Sequence, residues 1–268
     1  MLAAVAVEAI ALGGSALHAG GSSAIVLVKR PGPIAFRQRD IEVPLAHLFI
    51  KRTDQGVAVG YESVSIDLVE HLCAAIGGLG VGADLRVDVF GPEIPLLDGG
   101  ALRLCNALNQ LDLPILEDRP RITKPATLVF DTSTYRFTPS IQTRLIVHVD
   151  FDHPLVRVKR AEWGGSPTDF FERIASARTF GFRRDGERLR AAGRSRSVDM
   201  RSVIVLEDDG TSESCPAPDE CARHKLLDLV GDLTLAGGIP YGVIEAKRPG
   251  HRATHAVVSQ ARAQGVLE

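Results

Sequence analysis

The sequence predicts an α+β fold in two domains of similar size, and three observations predict it. Strand-like runs come in short groups followed by helical patterns, without the regular strand–helix alternation of a doubly wound parallel sheet. At 268 residues with 45% hydrophobic side chains, the chain is long enough for one large core or two modest ones. The stretch LDLPILEDRPRITKP (111–125) carries three prolines and separates a glycine-rich first half from a more charged second half, as a linker does. The expected domains are therefore residues 1–118 and 119–268.

The elements follow in chain order. The opening MLAAVAVEAIALGG is apolar, carries Glu8, lacks a basic leader and is too short to span a bilayer, so it reads as a first buried strand. Apolar runs predict strands at 24–28, 85–90, 127–130, 145–150, 203–206 and 241–246. Helical periodicity covers about 68–79, 101–111, 168–177, 221–235 and 252–263. GRSRSVDMRS (193–202) and DDGTSESCPAPDE (208–220) read as exposed loops, and no repeat is visible at the level of letters.

A formal net charge of −2 and short, interrupted basic clusters leave no electrostatic footprint for nucleic acid. The four cysteines sit at no zinc-finger spacing. They are expected to be reduced thiols in a cytoplasmic protein, Cys73 and Cys105 in apolar settings and Cys215 and Cys221 in a loop.

Three stretches carry chemistry. In ECARHKLLDLVGDLTLAGG (220–238), positions 224, 228 and 232 drift only about 40° per step around a helix, so His224, Asp228 and Asp232 form one polar stripe. Lys225 sits beside it. A solvated face is the plain reading of such a stripe. In LVEHLCAAIGGLG (68–80), Glu70 and His71 point about 100° apart, so they share a site only if one binds a centre and the other flanks it. In EAKRPGHRATHAVV, His251 follows a Pro-Gly turn and opens the last helix, while His255 reads as an ordinary polar residue one turn on. Together His71, His224 and Asp228 make a two-histidine, one-carboxylate set with a fourth tetrahedral position open, as catalytic zinc requires. Such a site lowers the pKa of a bound water toward about 7. Glu70 could then accept a proton and a protonated His251 could donate one to a departing amine.

Six collinear motifs carry a resemblance to a known family: ALHAG (16–20), VEHLCAAIGGLGVGADLRVDVFGPEIPLLDGGA (69–101), FDHP (151–154), SARTFGF (176–182), RHKLLDLVGDLTLAGG (223–238) and GH (250–251). The chain resembles the zinc-dependent UDP-3-O-acyl-N-acetylglucosamine deacetylases of lipid A synthesis, LpxC. The resemblance implies His71, His224 and Asp228 as zinc ligands, with Fe²⁺ able to occupy the same donors. It implies Glu70 as base, His251 as cationic acid partnered by Asp232, Thr179 at the oxyanion, and Lys225, Phe180 and His18 toward the substrate. It also implies two similar domains, each a sheet layered with two helices, with the helices packed between the sheets. Each domain of the family carries a small insert, and the second, which lines an acyl-chain passage, is expected within 155–167.

The sequence departs from the family at Asp67-Leu68, in the loop at 193–202 and in the charged run LVRVKRAEWGGSP. These departures leave a second reading, a deacetylase of another N-acetylated sugar or amide, which comparing acylated with unacylated UDP-N-acetylglucosamine separates. A third, a non-catalytic sugar-nucleotide binder, is separated by metal content. The expected partner is a small acylated nucleotide sugar, with no nucleic acid and no membrane span; a monomer is compatible with the sequence.

Overall fold

The computed structural model describes residues 7–268 except 192, 194, 195 and 197, with the backbone alone at 187 and 189. The first half opens with β1 (Ala9–Ser15), β2 (Ser22–Lys29), β3 (Ala35–Gln38) and β4 (Ile41–Pro44). A small three-stranded sheet follows, made of β5 (Phe49–Arg52), β6 (Ala58–Tyr61) and β7 (Val64–Ile66). Then come α1 (Glu70–Leu79), β8 (Leu85–Phe90) and α2 (Leu102–Gln110). The main sheet has the order β1-β2-β8-β3-β4, parallel only between β3 and β8.

The second half repeats this plan. It starts with β9 (Ala126–Phe130), β10 (Ser133–Thr138), β11 (Thr143–His148) and β12 (Arg160–Trp163). After a one-turn α3 (Pro167–Asp169) and a π-type turn at Phe170–Ile174 come β13 (Thr179–Phe182), α4 (Arg183–Ala191) and β14 (Val203–Leu206). The half closes with α5 (Glu220–Leu235), β15 (Gly242–Lys247) and α6 (His251–Ala263). Read from β9, the sheet order is β9-β10-β15-β11-β12, parallel only between β11 and β15. Each main-sheet strand of one half thus has its counterpart in the other. The repeat lies in topology, where letter comparison could not find it.

The inner faces of both sheets supply the core, with Ile25, Leu27, Val87 and Leu85 on one side and Tyr135, Phe137, Leu145 and Ile244 on the other, all fully or almost fully buried. Alternation along β2 follows the pleat, its odd-numbered Ser23, Ile25 and Leu27 being the buried ones. The helices fill the space between the sheets, and α1 lies against α5 along its length. Glycines permit the approach. A methyl placed on Gly77 would overlap Thr234 Oγ1, and one on Gly231 would overlap the carbonyl oxygen of Glu70. Gly80 at φ 72° caps α1, and Gly237 and Gly238 at φ 99° and 118° end α5, conformations that glycine adopts without the strain of a Cβ.

Four expectations need correction. The described part of the opening segment, β1, is an edge strand with no buried residue, because only one of its sides pairs; residues 1–6 lie outside the described residues. Residues 155–167 do not form the insert, since Arg160–Trp163 within them is β12, which pairs with β11 at the edge of the main sheet. The β13–α4–β14 unit, a two-stranded parallel sheet bridged by a helix, is the segment that stands apart, in the place that β5–β7 holds in the first half. Cys221 is buried in the first turn of α5 rather than in a loop. Lastly, only part of the expected loop at 193–202 is open to solvent: Ser202 is buried and donates to Leu97 O, while 194, 195 and 197 lie outside the described residues.

Candidate metal centre and active site

The two helices that touch most closely each bring a histidine to their interface. Glu70 and His71 open α1, while His224, Asp228 and Asp232 run along the face of α5 turned toward it. That face is not solvated. None of these five residues exposes more than 7% of its surface, which sets aside the plain reading of a solvated stripe. The rings of His71 and His224 meet edge to face, centroids 5.1 Å apart.

One donor atom from each of His71, His224 and Asp228 can be chosen so that all three lie within 4.8 Å of one another, the only such group of His, Cys, Asp or Glu among the described residues. His224 Nε2 and His71 Nε2 stand 3.4 and 3.9 Å from Asp228 Oδ1. His224 Nδ1 donates to Ala177 O at 3.0 Å, which fixes the tautomer and leaves Nε2 with a free lone pair. Burial holds both imidazoles neutral, His71 near a pKa of about 3 with help from His224, and His224 below its usual range. Asp228 Oδ1 is buried and has no hydrogen-bond partner among the described residues. A bare buried carboxylate oxygen costs about 1–3 kcal/mol unless a cation meets it. Burial favours the protonated form of Asp228, but the Lys225 ammonium and the His251 imidazolium outweigh it and hold the carboxyl ionised. Two neutral imidazoles and one ionised oxygen, converging with no internal partner, fit a divalent cation such as zinc.

Around this centre the charges are arranged in pairs. Lys225 Nζ donates to Asp228 Oδ2 at 2.7 Å and lies 5.5 Å from the centre of the Phe180 ring. His251 Nδ1 sits 2.8 Å from Asp232 Oδ1, and its Nε2 lies 4.0 Å from both Glu70 Oε1 and Asp228 Oδ2. Burial opposes the imidazolium, yet Asp232, Asp228 and Glu70 together raise the His251 pKa to about 9. Glu70 is pushed up by burial, against the pull of His251 and of the Val57 N–H, which donates to Oε2 at 2.9 Å.

The residues named from the sequence converge. His18, Glu70, His71, Thr179, Phe180, His224, Lys225, Asp228 and His251 all line one cavity of about 410 Å³, with Asp232 buried behind His251. Sequence reasoning missed two features. His255 Nε2 lies 3.3 Å from Asp232 Oδ1, so the carboxylate faces two imidazoles while hydrogen-bonding only His251; the four-residue spacing of His251 and His255 was the signal. The Val57 amide on Glu70 is a backbone group and had no signature in the letters. A second cavity of about 530 Å³ adjoins the first through Phe180, Gly181, Val198 and Val203. Phe151, Phe182 and Met200 add to its apolar wall.

Comparison with known proteins agrees with this geometry. The model of one family, described as LpxC, UDP-3-O-acyl N-acetylglycosamine deacetylase, matches residues 5–262. A UDP-3-O-acyl-N-acetylglucosamine deacetylase of Brucella melitensis biotype 2 is 34% identical over 278 aligned positions, covering 97% of this chain and 96% of the relative. One of Myxococcus xanthus is 32% identical over 261, covering 92% and 82%. With that match spanning nearly the whole chain and the paired halves meeting at a two-histidine, one-carboxylate centre, the protein belongs to the LpxC family of UDP-3-O-acyl N-acetylglycosamine deacetylases.

Proposed function

We propose that His71, His224 and Asp228 hold the zinc of this deacetylase, and that Glu70 and His251 move the protons when the N-acetyl group leaves a UDP-3-O-acyl-N-acetylglucosamine. The bare, buried Asp228 Oδ1 facing two neutral imidazoles carries this reading. Zinc held there supplies a Lewis acid that polarises the amide carbonyl and makes water nucleophilic near neutral pH.

The side chains do the rest. Glu70 Oε2 is tied to the Val57 amide, so Oε1, on the side of His251, accepts a proton from the attacking water. The imidazolium of His251, held by Asp232, donates to the amide nitrogen as its bond to the acetyl carbon breaks, giving acetate and a free amine. Thr179 supports the oxyanion, and Lys225 with Phe180 seats the sugar; all three lie on the cavity wall. The 3-O-acyl chain runs into the adjoining cavity under β13–α4–β14, whose Phe151, Phe182, Met200 and Val205 offer apolar surface. The acylated and unacylated nucleotide sugars test this placement. A preference for the acylated substrate of about tenfold or more in kcat/KM is expected, and equal rates would refute it.

The boundary between the two domains falls at 118/119. Leu116 N and Gly82 N bond into the first half, to Gly80 O and Pro114 O, whereas Arg119 and Arg121 bond to Ile239 and Glu268 of the second. Among the described residues no helix is long and apolar enough to cross a membrane. All four cysteines are free thiols, Cys73, Cys105 and Cys221 buried and Cys215 exposed, which suits a reducing cytoplasm.

A further inference from the structure

We propose that His18 is a positioning residue that aims Glu70 through the loop joining β5 to β6, and that it does not bind substrate. The inference rests on the deacetylase reading above and adds a role within it. His18 is 6% exposed, in the turn between β1 and β2. Its backbone N–H and that of Ala19 donate to the buried carboxylate of Glu93 at 3.0 and 3.2 Å, and Ser23 Oγ donates to Glu93 O. The ring is therefore held from behind. In front, Nε2 lies 2.8 Å from Gln55 O; a carbonyl oxygen only accepts, so the ring donates.

The loop that receives this bond needs fixing. Gln55 and Gly56 are consecutive left-handed residues, φ 56° and 115°. Arg52 ties its near end by donating to Asp54 O at 2.5 Å and to Asp67 Oδ2 at 2.6 Å. Beyond the turn, Val57 N–H holds Glu70 Oε2, and Gly56 is so near that a methyl there would stand 2.9 Å from Glu70 Oε1. A short chain of links thus joins the Glu93 anchor to the base: the His18 backbone, its ring, the Gln55 carbonyl and the Val57 amide. If the His18 bond is lost, the Val57 donor is free to drift and the carboxylate with it. A misplacement of about 1 Å costs on the order of 10²-fold in rate. Arg52 restrains part of that drift, so a loss of about tenfold is expected.

His18→Phe keeps the ring shape and removes the donor, while His18→Gln restores a donor. For zinc-loaded protein, His18→Phe should lower kcat about tenfold with KM within about twofold and zinc at one equivalent, and His18→Gln should recover most of kcat. The deciding measurement is a double-mutant cycle with Glu70→Gln. If His18 acts through Glu70, adding His18→Phe to Glu70→Gln changes the residual rate by less than about twofold. A full tenfold loss in that background, or a raised KM with unchanged kcat, would overturn the proposal in favour of contact with substrate. Should His18→Phe not fold, His18→Asn, whose amide falls short of Gln55 O, takes its place in the cycle, where a small change supports the proposal and a full loss overturns it. An inactive wild-type protein would instead remove the deacetylase reading, before any His18 variant is compared.

Discussion

Replacing Gly231 with alanine should damage chemistry far more than folding. Gly231 lies on α5 where it crosses the first turn of α1. A methyl there would overlap the Glu70 carbonyl oxygen and stand 3.0 Å from the Glu70 carbonyl carbon and 3.3 Å from Ala74 N. Non-bonded heavy atoms pack best at about 3.5–4.0 Å, and the contact with the oxygen is the tightest, so the helices must part by about 1 Å. Overpacking of this kind costs about 1–3 kcal/mol, and exchanging an interior helical glycine for alanine returns about 1 kcal/mol, leaving a net loss of about 0–2 kcal/mol. The site has less tolerance. Glu70 and His71 ride on α1, His224 and Asp228 on α5, and zinc requires its nitrogen ligands at about 2.0–2.1 Å. A displacement of about 1 Å between base and metal implies a kcat loss on the order of 10²-fold. Thermal unfolding, zinc content and steady-state rates of Gly231→Ala are compared with those of Gly164→Ala, whose added methyl meets nothing within 4 Å. A variant with wild-type kcat and one equivalent of zinc would refute the argument that this contact sets the site's geometry.

Other outcomes follow from the same geometry. His224→Ala should lose both metal and activity, because two remaining ligands hold zinc poorly, whereas Glu70→Gln should keep one equivalent of zinc and lose about 10²-fold or more in kcat; elemental analysis beside rates checks both. The imidazolium of His251 persists up to a pKa of about 9, so activity that needs it is present below that pH and falls as pH rises through it. Asp232→Asn should move that alkaline limb down by about 1–3 units with zinc retained, and an unmoved limb in the pH–rate profile would assign it to another group. Burial raises the Glu220 pKa, but hydrogen bonds from Arg178 and the Ala217 N–H outweigh it and hold the carboxyl below its usual 4.5. A depressed carboxyl stabilises the fold above pH 4.5 and loses that contribution as pH falls through its folded value. Glu220→Gln should therefore cost about 1.5–3 kcal/mol near neutrality and much less in acid, as read by denaturant unfolding across pH.

The parts legible in the sequence were those in which one residue type at one spacing has a physical consequence. The ladder of His224, Asp228 and Asp232 on one helical face, and the Glu70-His71 pair at a helix start, pointed to a shared site because helical geometry fixes their directions. Strands with a clear apolar pattern, alternating in Leu85–Phe90 and continuous in Val203–Leu206, were found to the residue. Short strands with mixed faces were not: Arg160–Trp163 carries charge on one side because it lies at a sheet edge, and the family resemblance, against that charge, assigned its stretch to an insert. The twofold plan of the halves left no trace in the letters because it is kept by strand order and pairing direction, which unrelated side chains can satisfy. The hold on Glu70 was equally silent, being made by the Val57 amide, and the letters around His18 carry no sign of the Gln55 carbonyl that its ring meets.

Acetate release from a UDP-3-O-acyl-N-acetylglucosamine by metal-free protein titrated with Zn²⁺ tests the central claim most directly. The rate should rise from near zero and level off at one equivalent in the wild-type protein, with Asp228→Asn failing to reach that plateau. Acetate release that ignores zinc, or a fully loaded protein that releases none, would contradict the assignment of catalysis to the centre between α1 and α5.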